Sequence, residues 1–227
     1  MIIIPTNATA KADPYWSSVV ALLHGEGATG STTITDSSPL AANWTASGNA
    51  QVVTAQYKFG SSSIYFDGAG DYISPSASLS SNFYFGTTDW TFELWMRPAA
   101  VSGAYYFLLE CRNGTSTVPT LYIGSNTLVY YTNSGNQITG GSLTTNTWYH
   151  VAVSRVSGNT RMFLNGTQVG STYADTTNYS ADIFRIGSYT DGSSYSYSGH
   201  LDDIRITKAG RYSSNFTIPA SAFPDSF

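Results

Sequence analysis

WYHVAVSRVSGNTRMFLNGTQV, residues 148 to 169, decides the fold class through its periodicity. Tyr149, Val151 and Val153 alternate with His150, Ala152 and Ser154, a period of two that gives a strand with different chemistry on its two faces. Ser157-Gly158-Asn159 interrupts the run with residues that tolerate turn dihedrals. Met162 and Leu164 then alternate with Arg161, Phe163 and Asn165 as a second strand. Asn165-Gly166 suits a two-residue type I′ hairpin turn, in which both central residues need positive φ, and Thr167-Gln168-Val169 opens a third strand. The stretch predicts a three-stranded antiparallel meander.

Working outward, the other strong β signals have the same character. Thr91 to Arg97 places Phe92, Leu94 and Met96 on one face and Glu93, Trp95 and Arg97 on the other, and Pro98 ends it. Val19 to His24, Tyr105 to Cys111, Thr120 to Ile123, Thr127 to Tyr131, Ile183 to Gly187 and Leu201 to Lys208 are further short runs. Gly-, Asn- and Ser-rich turns separate them at the spacing of an all-β sandwich. Asp67-Gly68 within FDGAGDY reads as a hairpin turn shaped by Asp67 and Asp71, and the stretch from Trp44 reads as exposed. Val151, Val153, Met162, Leu164, Phe92, Leu94 and Ile204 are the expected core. We divide the chain into an arm (1–16), one sandwich domain (17–210) and a proline-broken tail (211–227), with no internal repeat and no normal-length helix.

With 227 residues, the chain is long enough for one core without staples. Aromatics make up 15% and charged residues 11%, a balance suited to strands joined by many turns. The net charge of −4 and the scattered ten Lys and Arg argue against nucleic acid as a partner. Cys111 is the single cysteine, which excludes an internal disulfide, and its FLLEC setting reads as a small apolar strand residue. Met-Ile-Ile-Ile-Pro lacks a basic n-region and is too short to span a membrane, so neither export nor membrane insertion is expected. Six Asn-x-Ser/Thr sequons, at Asn7, Asn43, Asn113, Asn165, Asn178 and Asn215, would matter only in a secretory pathway.

The meander, FDGAGDY, WTFELWMRP, FRIGSY and GHLDDIRI, in this order and spacing, resemble the laminin G-like branch of the concanavalin A-like lectins and glucanases. LLHGEG and GSTTITDSSP at the front, with DDIRITKAGRYSSNFTIPASAFP at the back, resemble versions found in bacteriophage tail and other virion proteins. The resemblance implies an antiparallel jelly-roll β-sandwich, a fold that hosts enzymes, sugar-binding modules and adhesion domains alike. It also implies a structural Ca2+, for which Asp36 and Asp202 or Asp203 are the candidates because the first and last elements of this fold lie close together. Turn capping is the competing role for these acids. A pentraxin-like calcium pair is not expected, since SYTDGSS supplies only Asp191.

A glycanase needs paired carboxylates across the scissile bond. Glu26, Glu93 and Glu110 are the only glutamates and none is followed by a second carboxylate two or four residues on. Glu93 reads as a polar group on an open sheet face and His150 as a hydrogen-bonded core residue, so no hydrolysis is expected. Aromatic residues that could stack on sugar rings are Tyr105, Tyr106, Tyr130, Tyr131, Tyr189, Tyr195 and Tyr197, with Asn133 and Asp191 to bind hydroxyls. Packed or solvated strand positions would explain the same tyrosines. The expectation is a non-enzymatic virion structural protein for attachment through cell-surface glycans, oligomeric in the particle beside other virion subunits. The alternative is a subunit-packing module that binds no sugar. The two ends, apolar in places but broken by proline, are expected to dock on neighbouring subunits.

Overall fold

The computed structural model describes residues 12–76, 81–111, 118–179, 183–189 and 191–226. Most of the arm and the sequon at Asn113 therefore lie outside the described residues. The strands in chain order are β1 (Val19–Leu23), β2 (Thr33–Ile34), β3 (Trp44–Ser47), β4 (Gln51–Val53), β5 (Ser63–Asp67), β6 (Tyr72–Pro75), β7 (Trp90–Pro98) and β8 (Tyr105–Glu110). They continue with β9 (Thr120–Gly124), β10 (Thr127–Thr132), β11 (Gly135–Gly140), β12 (Tyr149–Val156), β13 (Asn159–Leu164), β14 (Thr167–Ala174) and β15 (Ser198–Thr207). An eight-stranded sheet has the order β14-β13-β12-β7-β15-β5-β4, with β1 added on β15. A four-stranded sheet, β11-β10-β9-β8, and a three-stranded one, β2-β3-β6, complete an all-β antiparallel sandwich.

The meander folds as its sequence reads. β12 pairs with β13 through Val151↔Leu164 and Val153↔Met162, and β13 pairs with β14. Asn165 and Gly166 have φ of 50° and 76°, the two positive values that a type I′ turn requires. Phe92, Leu94, Val151, Val153, Met162 and Ile204 are buried in one cluster with Leu109, Leu121, Ile123 and Leu128 of the smaller sheet, so the two sheets share a core. Leu164, expected inside, is only half-buried because its strand ends there. Replacing Leu164 by Ala should therefore cost about 2 kcal/mol, the low end of the range for buried leucine. Urea denaturation showing under about half a kcal/mol would place the meander in a different register.

Four expectations are corrected. Trp44 is buried, edge-on to Phe83 at 5.6 Å and to Phe184 at 6.2 Å. Asp67 to Tyr72 is not a hairpin: β5 pairs with β4 and β15 while β6 pairs with β3, so the turn carries the chain between sheets. Its acids still shape it, since Asp67 Oδ1 accepts from Ala69 N at 2.7 Å and Asp71 Oδ2 from Asp67 N at 2.7 Å. Ile183 to Gly187 forms only isolated bridges, Arg185 to Glu110 and Ile186 to Ile73.

The fourth correction concerns the tail. Its residues Tyr212, Phe216 and Phe223 lie on the chain's own large sheet, on the face opposite the shared core. Tyr212 and Phe216 stack at 3.6 Å, both rings meet Phe163 edge-on, and Phe216 N donates to Gly166 O at 2.9 Å. Phe223 is buried with Val19 and Leu22. Glu93, expected on an open face, lies wholly buried beside this strap. The sequence shows Glu93, His150 and Phe163 alternating out of the core, but not that residues far along the chain cover them.

Candidate functional site

Strands β8, β9 and β10 and the loop before β15 assemble an aromatic cradle. Tyr105 and Phe107 stand two residues apart on β8 and so share a face. Register brings Tyr122 opposite Phe107, and Tyr131 opposite Asn136. Phe107 stacks on Tyr122 at 5.1 Å and near-parallel to Tyr195 at 5.9 Å, while Tyr189 meets it edge-on at 5.4 Å. Tyr105 is edge-on to Tyr122 at 5.4 Å and to Tyr195 at 5.6 Å. These residues, with Ser194, line an open cavity of about 610 Å³. Tyr105 and Tyr195 stand at its rim, 50% and 48% exposed.

Four of the nine sequence candidates thus converge, Tyr105, Tyr131, Tyr189 and Tyr195. The other five do not line the cavity. Tyr106 and Tyr130 are the other members of the adjacent pairs Tyr105-Tyr106 and Tyr130-Tyr131, and on a strand only one of two neighbours can face a given side. Tyr106 donates its hydroxyl to Ser102 O at 3.0 Å, and Tyr130 is fully buried with its hydroxyl 2.9 Å from that of Tyr179. Tyr197 is fully buried and donates to His200 O at 3.2 Å. Asn133 sits in the β10–β11 turn, where its Nδ2 donates to Tyr173 Oη and Thr177 Oγ1, both at 2.8 Å. Asp191 Oδ1 accepts from Ser193 N at 2.8 Å and Ser194 N at 2.7 Å, so it shapes its turn instead of offering that oxygen to a hydroxyl. Phe107, Tyr122, Asn136 and Ser194 were missed. The period-two face that Phe107 shares with Tyr105 was the available signal; the cross-strand partners depend on register.

The three acids proposed for calcium do not fit an ion as placed. Asp36 spends both oxygens on N–H donors: Oδ1 accepts from Leu22 N and Ser38 N at 2.9 Å, Oδ2 from Ala42 N at 3.0 Å and Trp44 Nε1 at 3.4 Å. Asp203 accepts from Phe223 N at 2.7 Å and pairs with His24 Nδ1 at 2.7 Å. Asp202 Oδ2 accepts from Lys58 N at 2.6 Å and Phe59 N at 3.1 Å, and burial pushes this carboxyl up to about 7. Among the described residues, no group of three or more His, Cys, Asp or Glu side chains could hold a metal ion. Whether chain ends meet can be expected from a fold; which oxygens are already occupied cannot.

The carboxylates considered for catalysis are also engaged. Glu93 and His150 are fully buried, with His150 Nε2 3.4 Å from Glu93 Oε2 but not aligned as a hydrogen bond. Burial alone would raise the Glu93 carboxyl, yet Arg205, His150 and Arg211 outweigh it and hold it at about 2. Glu110 is buried and accepts from Thr120 Oγ1 at 3.3 Å, and Glu26 accepts from Ser61 N and Ser61 Oγ at 3.0 Å and 2.7 Å. Cys111 is a buried thiol outside any disulfide, as its setting implied.

Known structures share this architecture. The botulinum neurotoxin serotype C1 binding domain is 14% identical with a TM-score of 0.63, over 87% of this chain and 50% of its own length. The botulinum neurotoxin DC binding domain in complex with SialylT is 15% identical, TM-score 0.61, over 87% and 50%. Trypanosoma rangeli sialidase in complex with sialic acid is 12% identical, TM-score 0.65, over 86% and 31%. The chain spans about half of the toxin domains and a third of the sialidase, and at these identities the likeness is one of fold. No curated protein matches. The family model for laminin G-like domains, described as the concanavalin A-like lectin/glucanases superfamily, matches residues 67–211. On that match, which takes in the meander, the cradle strands and β15, the chain belongs to the concanavalin A-like lectin and glucanase superfamily.

Proposed function

We propose that this chain is a non-enzymatic, lectin-like attachment module and that the aromatic cradle is its saccharide site. The observation that carries the reading is the convergence of the half-exposed Tyr105 and Tyr195 rings with Asn136 and Ser194 on one open cavity. A sugar ring presents apolar C–H faces and polar edges. An aromatic wall with a few hydrogen-bonding groups complements both. Structures of this fold include a botulinum neurotoxin DC binding domain in complex with SialylT and botulinum neurotoxin type C, whose cell entry depends on interaction with two ganglioside molecules, which supports a glycan role here. The resemblance of the flanking segments to phage tail proteins supports a place in a virion. Among the described residues, no helix is long and apolar enough to cross a membrane.

Each rim tyrosine should contribute about 1 kcal/mol of stacking, so Tyr105→Ala and Tyr195→Ala should each weaken binding about fivefold and together more than tenfold. An array of glucose-, galactose- and sialic acid-terminated oligosaccharides would find the ligand, and calorimetry on the variants would test the site. Wild-type affinity in the double variant, at an unchanged melting temperature, would move the site elsewhere. Immunolabelling of purified particles that contain the chain tests the virion assignment.

A further inference from the structure

Tyr195 combines two features that seldom coincide: its backbone has φ of +53° and the residue is 48% exposed. A bulky aromatic residue adopts the left-handed region only where its surroundings impose it, and burial of the ring is not what holds this one. The turn before it supplies the constraint. Asp191 Oδ1 accepts from Ser193 N and Ser194 N, Gly192 N donates to Tyr189 O at 3.0 Å, and Tyr189 N donates to Ser194 O at 3.3 Å. On the far side of Tyr195, its carbonyl accepts from Phe107 N at 3.1 Å, tying the turn to the edge of β8. The N–H donors of Ser193 and Ser194 need an acceptor at this place, and Asp191 provides one oxygen for both.

We propose that Asp191 is a positioning residue for ligand binding: it locks the 191–195 turn in the conformation that holds the Tyr195 ring at the cradle rim. This rests on the saccharide-site reading and gives that site a mechanism of preorganisation. A turn ordered before the ligand arrives loses no further freedom on binding, whereas an uncapped turn would have to be ordered by the ligand. Hydrogen bonds from the Ser194 side chain and then from the Ser194 and Ser193 amides hold the Asp191 carboxyl at about 2, so the cap is ionised throughout the physiological range.

The test compares Asp191→Ala, Asp191→Asn and Tyr195→Ala with the wild type, using the tightest oligosaccharide found on the array. Asn keeps an acceptor oxygen but no charge. We expect Asp191→Ala to weaken binding about fivefold, as Tyr195→Ala does, to accelerate amide exchange at Ser193 and Ser194, and to leave the melting temperature nearly unchanged. Asp191→Asn should stay within about twofold of wild type in affinity and retain amide protection. Wild-type affinity in Asp191→Ala would overturn the proposal. So would an Asp191→Asn variant that keeps its amide protection yet binds as weakly as Asp191→Ala, because the charge would then be contacting the ligand directly. If no saccharide binds, or if Tyr195→Ala binds normally, the saccharide-site reading itself fails and this inference falls with it.

Discussion

Replacing Glu93 by Gln will lower the stability of the fold by about 3 to 5 kcal/mol, the range for removing one partner of a buried ion pair. Glu93 Oε1 accepts from Arg205 Nε at 3.0 Å and lies 2.8 Å from Arg205 Nη2, and Oε2 accepts from Tyr212 Oη at 2.8 Å. Arg205 also donates from Nη1 to Asp13 Oδ2 at 3.0 Å, and Asp13 in turn holds Arg211. Without the Glu93 charge, two buried guanidinium groups share one carboxylate. Acid should reproduce part of the loss in the wild type. A carboxyl held at about 2 against an ordinary 4.5 contributes stability that is present above 4.5 and lost as pH falls toward 2, about 3 kcal/mol in all. Urea denaturation at pH 7 for the variant, and from pH 6 to 2.5 for both proteins, checks the two statements. A variant loss under 1 kcal/mol, or equal acid sensitivity in both proteins, would show that the network does not stabilise the strap face.

Phe223→Ala should be comparably costly, about 3 to 5 kcal/mol, because the side chain is the one fully seated point of a strap that otherwise runs along the surface. The Phe223 ring packs with Val19, Leu22 and Trp16, the Arg205 guanidinium lies 3.7 Å from its centroid, and its amide is tied to Asp203. From Ser213 to Ser226 every other residue is exposed or half-buried. Truncation to alanine removes the apolar contact and a largely desolvated cation–π contact together. For a chain of this size the melting temperature should fall by roughly 10 °C. A fall under 2 °C would mean that the strap is loosely laid, and would restore docking on a neighbouring subunit as its main role.

The sequence by itself determined the local β structure: the period of two in Tyr149 to Ser154 and Thr91 to Arg97, and the positive-φ turn at Asn165-Gly166, act over a few residues and need no distant partner. It also bounded the site to the aromatic runs, of which Tyr105, Tyr131, Tyr189 and Tyr195 converge. Only the tertiary structure decided which member of the Tyr105-Tyr106 and Tyr130-Tyr131 pairs faces the cradle, because a shift of one residue in register exchanges the faces of a strand. It likewise decided the fate of the charges. Glu93 looked exposed because its strand alternates, yet Arg205, Arg211 and Tyr212 reach it from the far end of the chain, and Asp13, near the start, braces both guanidinium groups. Asp36, Asp202 and Asp203 looked like free ligands, yet donors from Leu22, Lys58 and Phe223, 14 to 144 residues away, already engage each carboxylate through at least one oxygen. Backbone geometry is set locally, whereas the partner of a buried polar atom is set by chain segments that meet only when the whole sandwich closes.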